Sequence, residues 1–182
     1  MMPAMSRQVR WRTKFLWLVV LLFVWGCTKN HGVPAVALDY LEFKRISDLD
    51  IYEVKFASNI DFFNIFEPGK RPVSSILRCS LGIDEVSVDH NVNQYSASGL
   101  VSVSQPTRNG ELFVYSSALS FYENMNVGRS RRTLNADELQ RILQGKQFVP
   151  CVYTATAFGF KAYRSATMRL PVADIFREVG IQ

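Results

Sequence analysis

The chain has 182 residues, which is enough for one domain of ordinary size with its own buried core. Its 48% hydrophobic and 20% charged residues exclude a disordered, collagen-like or disulfide-dense miniprotein class. Three Cys and two His leave too few ligands for a zinc ribbon or an iron–sulfur site, so no cofactor is expected. The net charge of +5 at first suggests a polyanionic partner.

The first 26 residues have the layout of an export signal. Basic side chains, with no acidic one among them, precede an unbroken apolar run over residues 15–25, and Gly26-Cys27 follows. An apolar helix of this length reaches roughly 17 Å, about half of the ~30 Å hydrocarbon core of a bilayer. A cleavable signal therefore fits better than a spanning helix, with the rest of the chain exported. The basic residues are Arg7, Arg10, Arg12 and Lys14.

Val24-Trp25-Gly26-Cys27 resembles the lipobox of bacterial lipoproteins, in which an aliphatic residue stands three positions before the cysteine and a small residue directly before it. Trp25 departs from the family pattern, where Ala or Ser is usual, and Val24 replaces the commoner Leu. The resemblance implies that residues 1–26 are a signal peptide that is removed before Cys27. It also implies that Cys27 carries a diacylglycerol and usually an acyl group, such as palmitate, on its new amine. Two or three acyl chains hold a protein on a membrane essentially permanently.

Thr28 follows the cysteine, where an Asp tends to retain members of this family in the inner membrane. The resemblance therefore favours the periplasmic face of the outer membrane over the inner membrane. Residues 27–34 are then the lipidated cysteine and a short polar tether, and residues 35–182 form a single periplasm-facing domain. His31 lies in the tether and is expected to be solvated.

Removal of the signal changes the meaning of the net charge. The four side chains lost are all cationic, which leaves 17 Lys+Arg against 16 Asp+Glu and a net charge of +1. The remaining domain is nearly neutral, so we expect no nucleic-acid partner.

Most of the domain has a strand signature. Residues 52–56 alternate apolar and charged, and residues 40–46 are expected to pair with them across a turn at 47–50. The number and spacing of all the predicted strands indicate a mainly β fold. We expect an antiparallel β-sandwich or barrel-like sheet with one or two short helices near the C-terminus. The further strands are predicted over 73–81, 100–104, 112–115, 149–156 and 160–170, with a hairpin loop at 106–110 and a bend near Gly159.

Two short helices are predicted in the last third of the chain. The first begins at Asn135, an N-cap with Glu138 at the N3 position as in a capping box, and ends at Gly145. The second begins after Pro171 and ends at Gly180. Each is too short to serve by itself as a recognition element.

Cys79 and Cys151 are the cysteines of the domain. Export would place them in an oxidising compartment, where a pair of cysteines is more often bonded than free. A disulfide between them would stabilise the domain by roughly 4 kcal/mol in the chain-entropy model. Two buried free thiols, or a catalytic thiol, are the alternatives.

No catalytic or metal-binding motif stands out in the sequence. Asp84, Asp89, His90 and Asn91 carry suitable ligand atoms, but their segment lacks the glycine and the bidentate glutamate that a calcium loop requires. The chain also has no Gly-x-Ser-x-Gly elbow and no phosphate-binding loop. We therefore expect no metal site and no catalytic residues, and favour a binding protein over an enzyme.

Two segments are candidate contact surfaces. Arg129, Arg131 and Arg132 lie in a compact cationic loop, which is either a contact site for lipid head groups or an acidic partner, or a solvated loop. The phenylalanines of segment 56–66 belong either to an exposed docking patch or to the core, and the core is favoured.

Together these features predict a membrane-anchored envelope lipoprotein that binds a protein partner. It would be an accessory component of an envelope complex, or an immunity or inhibitor protein. One alternative is a carrier or sensor of lipid or another small ligand, which needs a cavity of about 300–1,000 Å³. The other is a hydrolase that acts on envelope material through Asp89 and His90.

Overall fold

The computed structural model describes residues 28–47, 50–82, 93–105, 112–126 and 128–181. Cys27 and the segment that contains Asp84, Asp89, His90 and Asn91 lie outside these residues, as does the predicted 106–110 loop. The elements in chain order are β1 (Asp39–Ser47), β2 (Ile51–Ser58), β3 (Ser74–Ser80), β4 (Tyr95–Gln105), β5 (Phe113–Met125), β6 (Ser130–Thr133), α1 (Ala136–Leu143), β7 (Phe148–Thr156), β8 (Tyr163–Arg164), β9 (Met168–Pro171) and α2 (Val172–Val179).

The strands form a single antiparallel sheet with the order β1-β2-β5-β4-β3-β7-β8, in which β6 pairs with β5 and β9 with β7. The first strand of this order approaches the far side of the sheet, because β1 contacts β9, which pairs with β7, and α2 packs against β1. Just before β1, the Val36 carbonyl accepts a hydrogen bond from the N–H of Ala166, at 2.8 Å. The sheet is therefore curved and barrel-like, and the predicted mainly β fold with two short helices is confirmed.

The local patterns explain the elements that they predicted. In β2, buried Tyr52, Val54 and Phe56 alternate with charged residues, and β2 pairs with β1 as the sequence indicated. Both helices have eight residues, and no helix in the described ranges is long and apolar enough to span a bilayer. In α2, Gly180 adopts the left-handed conformation that ends the helix, with φ of +84°.

The capping box of α1 is present as predicted. The side-chain oxygen of Asn135 accepts from the N–H of Glu138 at 2.9 Å, and the Glu138 carboxylate accepts from the N–H of Asn135 at 3.0 Å. Gly145 follows the helix with φ of +77°. The two hydrogen bonds fix the start of α1 because they satisfy backbone N–H groups that the helix itself leaves without partners.

β5 is the longest strand, and the sequence predicted only its beginning. At ~3.3 Å per residue its 13 residues extend over about 40 Å. One edge pairs with β4, and the other edge pairs first with β2, over residues 113–119, and then with β6, over residues 122–125. The sheet therefore divides beside β5 at the point where β2 gives way to β6.

The aromatic segment between β2 and β3 forms part of the core. Phe56, Phe62 and Phe66 are buried, and Phe63 is half-buried. The core assignment is therefore confirmed, and the alternative of an exposed docking patch is wrong for the three buried rings.

Phe62 lies at the centre of an aromatic cluster. Its ring stacks on Tyr153 at a centroid distance of 4.2 Å and lies 4.9 Å from the ring of Tyr115. The N–H of Phe62 donates to the Tyr115 hydroxyl at 2.8 Å, and this hydroxyl donates to the carbonyl of Ile60 at 3.1 Å. The segment is thus held in the core by both ring packing and satisfied polar groups.

Cys79 and Cys151 form a disulfide. They face each other directly in the pairing of β3 with β7, their Cα atoms are 4.0 Å apart, and both are buried. The predicted bond is confirmed, and the alternatives of free thiols or a catalytic thiol are wrong.

The predicted tether is packed on the domain from Lys29 onward. The N–H of Lys29 donates to the Gly159 carbonyl at 2.7 Å, and its carbonyl accepts from the N–H of Lys161 at 2.9 Å. The His31 ring is half-buried, with its centroid 5.3 Å from that of Tyr163. The prediction of a solvated His31 is therefore wrong, because the imidazole packs edge-on against an aromatic surface.

The antiparallel strands give the domain two distinct ends. The proximal end consists of segments 28–38, 59–73 and 157–162, and the chain enters the domain there. The distal end consists of the turn at Asp50, the turn between β5 and β6, and segment 134–147 with α1. The length of β5 separates the two ends.

Candidate functional site

A cleft of about 250 Å³ opens at the distal end, where β5 changes partner from β2 to β6. Its apolar lining comes from elements that are far apart in the sequence, and its polar lining comes from the ends of β1 and β6 and the start of α1. The apolar side is formed by Tyr52, Phe121, Leu134, Leu139 and Val179, and the rest of the lining by Arg45, Asp50, Thr133, Asn135 and Ala136.

Tyr52 joins the two sides of the cleft. Its ring stacks on Phe43 and packs against Phe121, with centroids 5.4 Å away in both cases. Burial of the side chain, followed by the charge of Asp50 beside it, raises the pKa of the Tyr52 hydroxyl. The Asp50 carboxylate also accepts a hydrogen bond from Arg45 at 2.7 Å. Tyr52 is therefore a hydrogen-bond donor at neutral pH and not a base.

Arg132 connects three elements beside the cleft. Its guanidinium lies 2.7 Å from a carboxylate oxygen of Glu123 on β5 and 2.9 Å from one of Glu138 on α1. Hydrogen bonds from Arg132 lower the pKa of both carboxyls, and those carboxylates raise the pKa of Arg132. Arg132 therefore stabilises the join between the β5–β6 hairpin and α1.

The predicted cationic loop is instead a hairpin. Arg131 and Arg132 lie on β6, which pairs with the end of β5, so the loop assignment is wrong for them. The reason is that Glu123 stands directly opposite Arg132 in the register and compensates its charge across the strands. Arg129 lies in the turn, outside the strand.

All three predicted contact arginines are exposed, but Arg132 is paired with the carboxylates of Glu123 and Glu138. Arg129 and Arg131 are both exposed. The guanidinium of Arg131 lies over the ring of Tyr122, 4.4 Å from its centroid, which orients it without neutralising it. We refer to Arg129 and Arg131 as the distal arginine pair.

The cleft and the distal arginine pair are suited to binding. The apolar lining can receive an aliphatic or aromatic side chain, the polar lining supplies donors and acceptors, and the arginine pair attracts carboxylates. The volume of about 250 Å³ falls below the usual range of small-molecule sites, so the cleft does not support the carrier alternative. In the ranges that the structure describes, no group of His, Cys, Asp and Glu side chains could hold a metal ion.

The other predicted residues lie away from the cleft or outside the described chain. Cys79 and Cys151 are in the core, where they form the disulfide. Cys27 and the His90 segment are not among the described residues, so lipidation and the hydrolase alternative stay predictions.

The sequence does not predict the cleft, because the cleft forms where β1, β5, α1 and α2 meet. Only Asn135, through its capping box, had a local signal.

No family model matches this chain, and neither does any curated protein or solved structure. Function is therefore inferred from the residues of the chain and their geometry.

Proposed function

We propose that the chain is an exported lipoprotein, held on a bacterial envelope membrane by a diacylglycerol on Cys27, whose distal end binds a protein partner. The observation that carries this proposal is that the start of the described chain and the candidate binding surface lie at opposite ends of the domain. Thr28, which follows Cys27, begins the described chain at the proximal end, whereas the cleft and the distal arginine pair lie at the other end. A lipid on Cys27 would then present the binding surface to the periplasm, about 40 Å from the bilayer if β5 stands upright.

The disulfide supports export. Bonds such as Cys79–Cys151 form and persist in oxidising compartments, such as the bacterial periplasm, and are rare in the cytosol. The lipobox-like residues before Cys27 favour lipidation, and the Thr28 that follows it favours the outer membrane, with the domain on the periplasmic side.

The distance between the two ends of the domain favours a protein partner over the head groups of the membrane that would hold the anchor. Electrostatic attraction between exposed charges is screened beyond a Debye length of about 10 Å at 0.1 M salt. The distal arginine pair lies much farther than this from the proximal end. The complementary partner has acidic residues for the arginines beside an apolar side chain for the cleft. An accessory component of an envelope complex and an immunity protein would both use such a surface.

The anchor is tested in cells with globomycin, which blocks removal of lipoprotein signals. We expect the uncleaved precursor to accumulate with globomycin, and we expect Cys27→Ser to leave the membrane fraction. A precursor that does not respond to globomycin, together with a Cys27→Ser chain that still sediments with membranes, would remove the lipoprotein assignment.

The binding surface is tested by photo-crosslinking in the intact envelope. A photo-reactive amino acid replaces Thr133, an exposed residue that lines the cleft. We expect a discrete cross-linked species that is lost when Arg129→Glu and Arg131→Glu are introduced together. Arg78→Glu is the matched control, since Arg78 is an exposed cation in the middle of the sheet. Equal cross-linking in both charge-reversed proteins would contradict the proposal.

A further inference from the structure

We propose that the proximal end of the domain lies on the bilayer surface, with Phe158 inserted at the level of the lipid head groups and Arg71 and Lys161 on lipid phosphates. The contact rests on the proposed lipid anchor at Cys27 and deepens it. It would be a second, non-covalent attachment that fixes the orientation of the domain and keeps the cleft directed away from the membrane.

The first observation is the attachment of Lys29 to the loop that carries Phe158. Both backbone groups of Lys29 bond to that loop, one to Gly159 and the other to Lys161. Lys29 is two residues after Cys27 in the sequence, a separation that a fully extended chain spans with about 7 Å at most. A lipid on Cys27 would therefore bring the 157–161 loop to the membrane, without a free tether between them.

The second observation is the apolar surface of this end. Phe158 is 84% exposed, the highest value among the large apolar side chains of the described chain. Val73 is 61% exposed, and its N–H donates to the carbonyl of Thr156, so it lies on the strand end that leads to Phe158. The topology brings further exposed apolar residues to the same end of the sheet, namely Val103, Leu112 and Phe113. Side chains of this kind at one end of a domain are typical of contact with a partner or membrane.

The third observation is the charge around these apolar residues. Lys29 and Lys70 both pair with Glu67, and both ammonium groups lie over the ring of Phe160. Arg71 and Lys161 are exposed, and neither has an ion-pair partner within the described part of the chain. They are therefore the cations that remain available for anionic lipid phosphates.

A bilayer explains this arrangement better than a protein partner would. The covalent lipid would bring a membrane to this end in every copy of the protein. The exposed side chains also come from separate loops and strand ends at one end of the sheet, as expected of a surface that meets a flat interface. An acyl anchor combined with apolar and cationic surface residues is the usual combination for stable attachment to a membrane interface.

Tryptophan fluorescence provides the test. All Trp residues of the chain, Trp11, Trp17 and Trp25, lie in the proposed signal, so the processed protein has none. Phe158→Trp then gives a single probe at the proximal end, and Phe148→Trp is the matched control. Phe148 is 43% exposed at the start of β7, at the opposite end of the sheet. Each processed protein is reconstituted into phosphatidylethanolamine–phosphatidylglycerol vesicles, with and without lipids that carry bromine on their acyl chains.

We expect the emission of the probe at 158 to shift to the blue in vesicles and to be quenched by brominated lipid, while the probe at 148 is unchanged by either. Arg71→Glu with Lys161→Glu should reduce this quenching in anionic vesicles. Equal responses of the two probes in a protein whose mass includes the lipid would overturn the bilayer contact and leave the lipoprotein assignment intact. A mass without lipid on Cys27 would overturn the lipoprotein assignment, and the bilayer contact with it.

Discussion

Loss of the Cys79–Cys151 bond is predicted to remove a large part of the stability of the domain. The bond closes a sequence separation of 72 residues. In the chain-entropy model, a loop of this size restricts the unfolded chain by about 15 cal/mol/K, which corresponds to about 4.4 kcal/mol at 25 °C. Domains are stable by only about 5–15 kcal/mol in total, so the reduced domain is expected to be near the threshold of unfolding.

Urea unfolding followed by circular dichroism measures this effect. Three samples are compared, namely the oxidised protein, the protein kept reduced with a thiol, and Cys79→Ala/Cys151→Ala. The first two differ only in the cross-link. The last two differ in the packing of two buried sulfur atoms, which the alanines remove.

The slope of the free energy against urea concentration should also increase on reduction, because an uncrosslinked unfolded chain exposes more surface. A difference of less than about 1 kcal/mol between the oxidised and reduced proteins would refute this reasoning, since the chain-entropy model gives several times that value.

Three further predictions concern the core, α1 and high pH. Phe62→Ala should lower the free energy of unfolding by about 3–5 kcal/mol, because its buried ring packs on Tyr153 and Tyr115, and urea unfolding measures the loss. Asn135→Ala should cost about 1 kcal/mol in the same assay through loss of the capping box, whereas Asn135→Asp should retain most of the stability. Burial raises the pKa of Tyr153 from its ordinary 10.0 to about 12 and also raises the pKa of Tyr115. Because the folded protein therefore favours the neutral hydroxyls, their contribution to the free energy of unfolding is fully present below about pH 10. This stability is lost as the pH rises through 10 towards 12, and a phenolate absorbance titration run in parallel with circular dichroism follows it.

Each of these three predictions has its own contradicting result. If the free energy of unfolding of Phe62→Ala lay within about 1 kcal/mol of wild type, the Phe62 ring would not contribute to the core as the structure indicates. An Asn135→Asp protein as unstable as Asn135→Ala would show that the side-chain acceptor does not cap α1. Tyrosines that all ionise at their ordinary pKa, while the circular dichroism stays native, would contradict the burial of Tyr153 and Tyr115.

Elements with a local signal could be predicted from the sequence. The β1–β2 hairpin follows from period-2 alternation beside a polar turn, and α1 follows from Asn135 and Glu138 at capping-box spacing. The disulfide is predicted from the expectation of export and from the presence of only two cysteines in the predicted domain, and the structure contains it. In each case the residues that decide the structure also display the pattern.

The remaining features depend on contacts between distant parts of the chain. The sequence predicts only the beginning of β5 because its serines interrupt the apolar alternation. Ser116 and Ser117 are nevertheless buried in the sheet, and the Ser116 hydroxyl is hydrogen-bonded to that of Ser102 on β4 at 3.1 Å. The sequence predicts a loop at β6 because the carboxylates that compensate Arg132 come from other elements. The cleft forms where the partner of β5 changes, which no single segment of the sequence encodes.

The intact mass of the protein extracted from membranes tests the central claim most directly. The lipoprotein assignment predicts a polypeptide of residues 27–182 with the added mass of a diacylglycerol and an acyl chain on Cys27, and no tryptophan emission, since all Trp residues precede Cys27. A chain that retains residues 1–26, or one that begins elsewhere and carries no lipid, would contradict it.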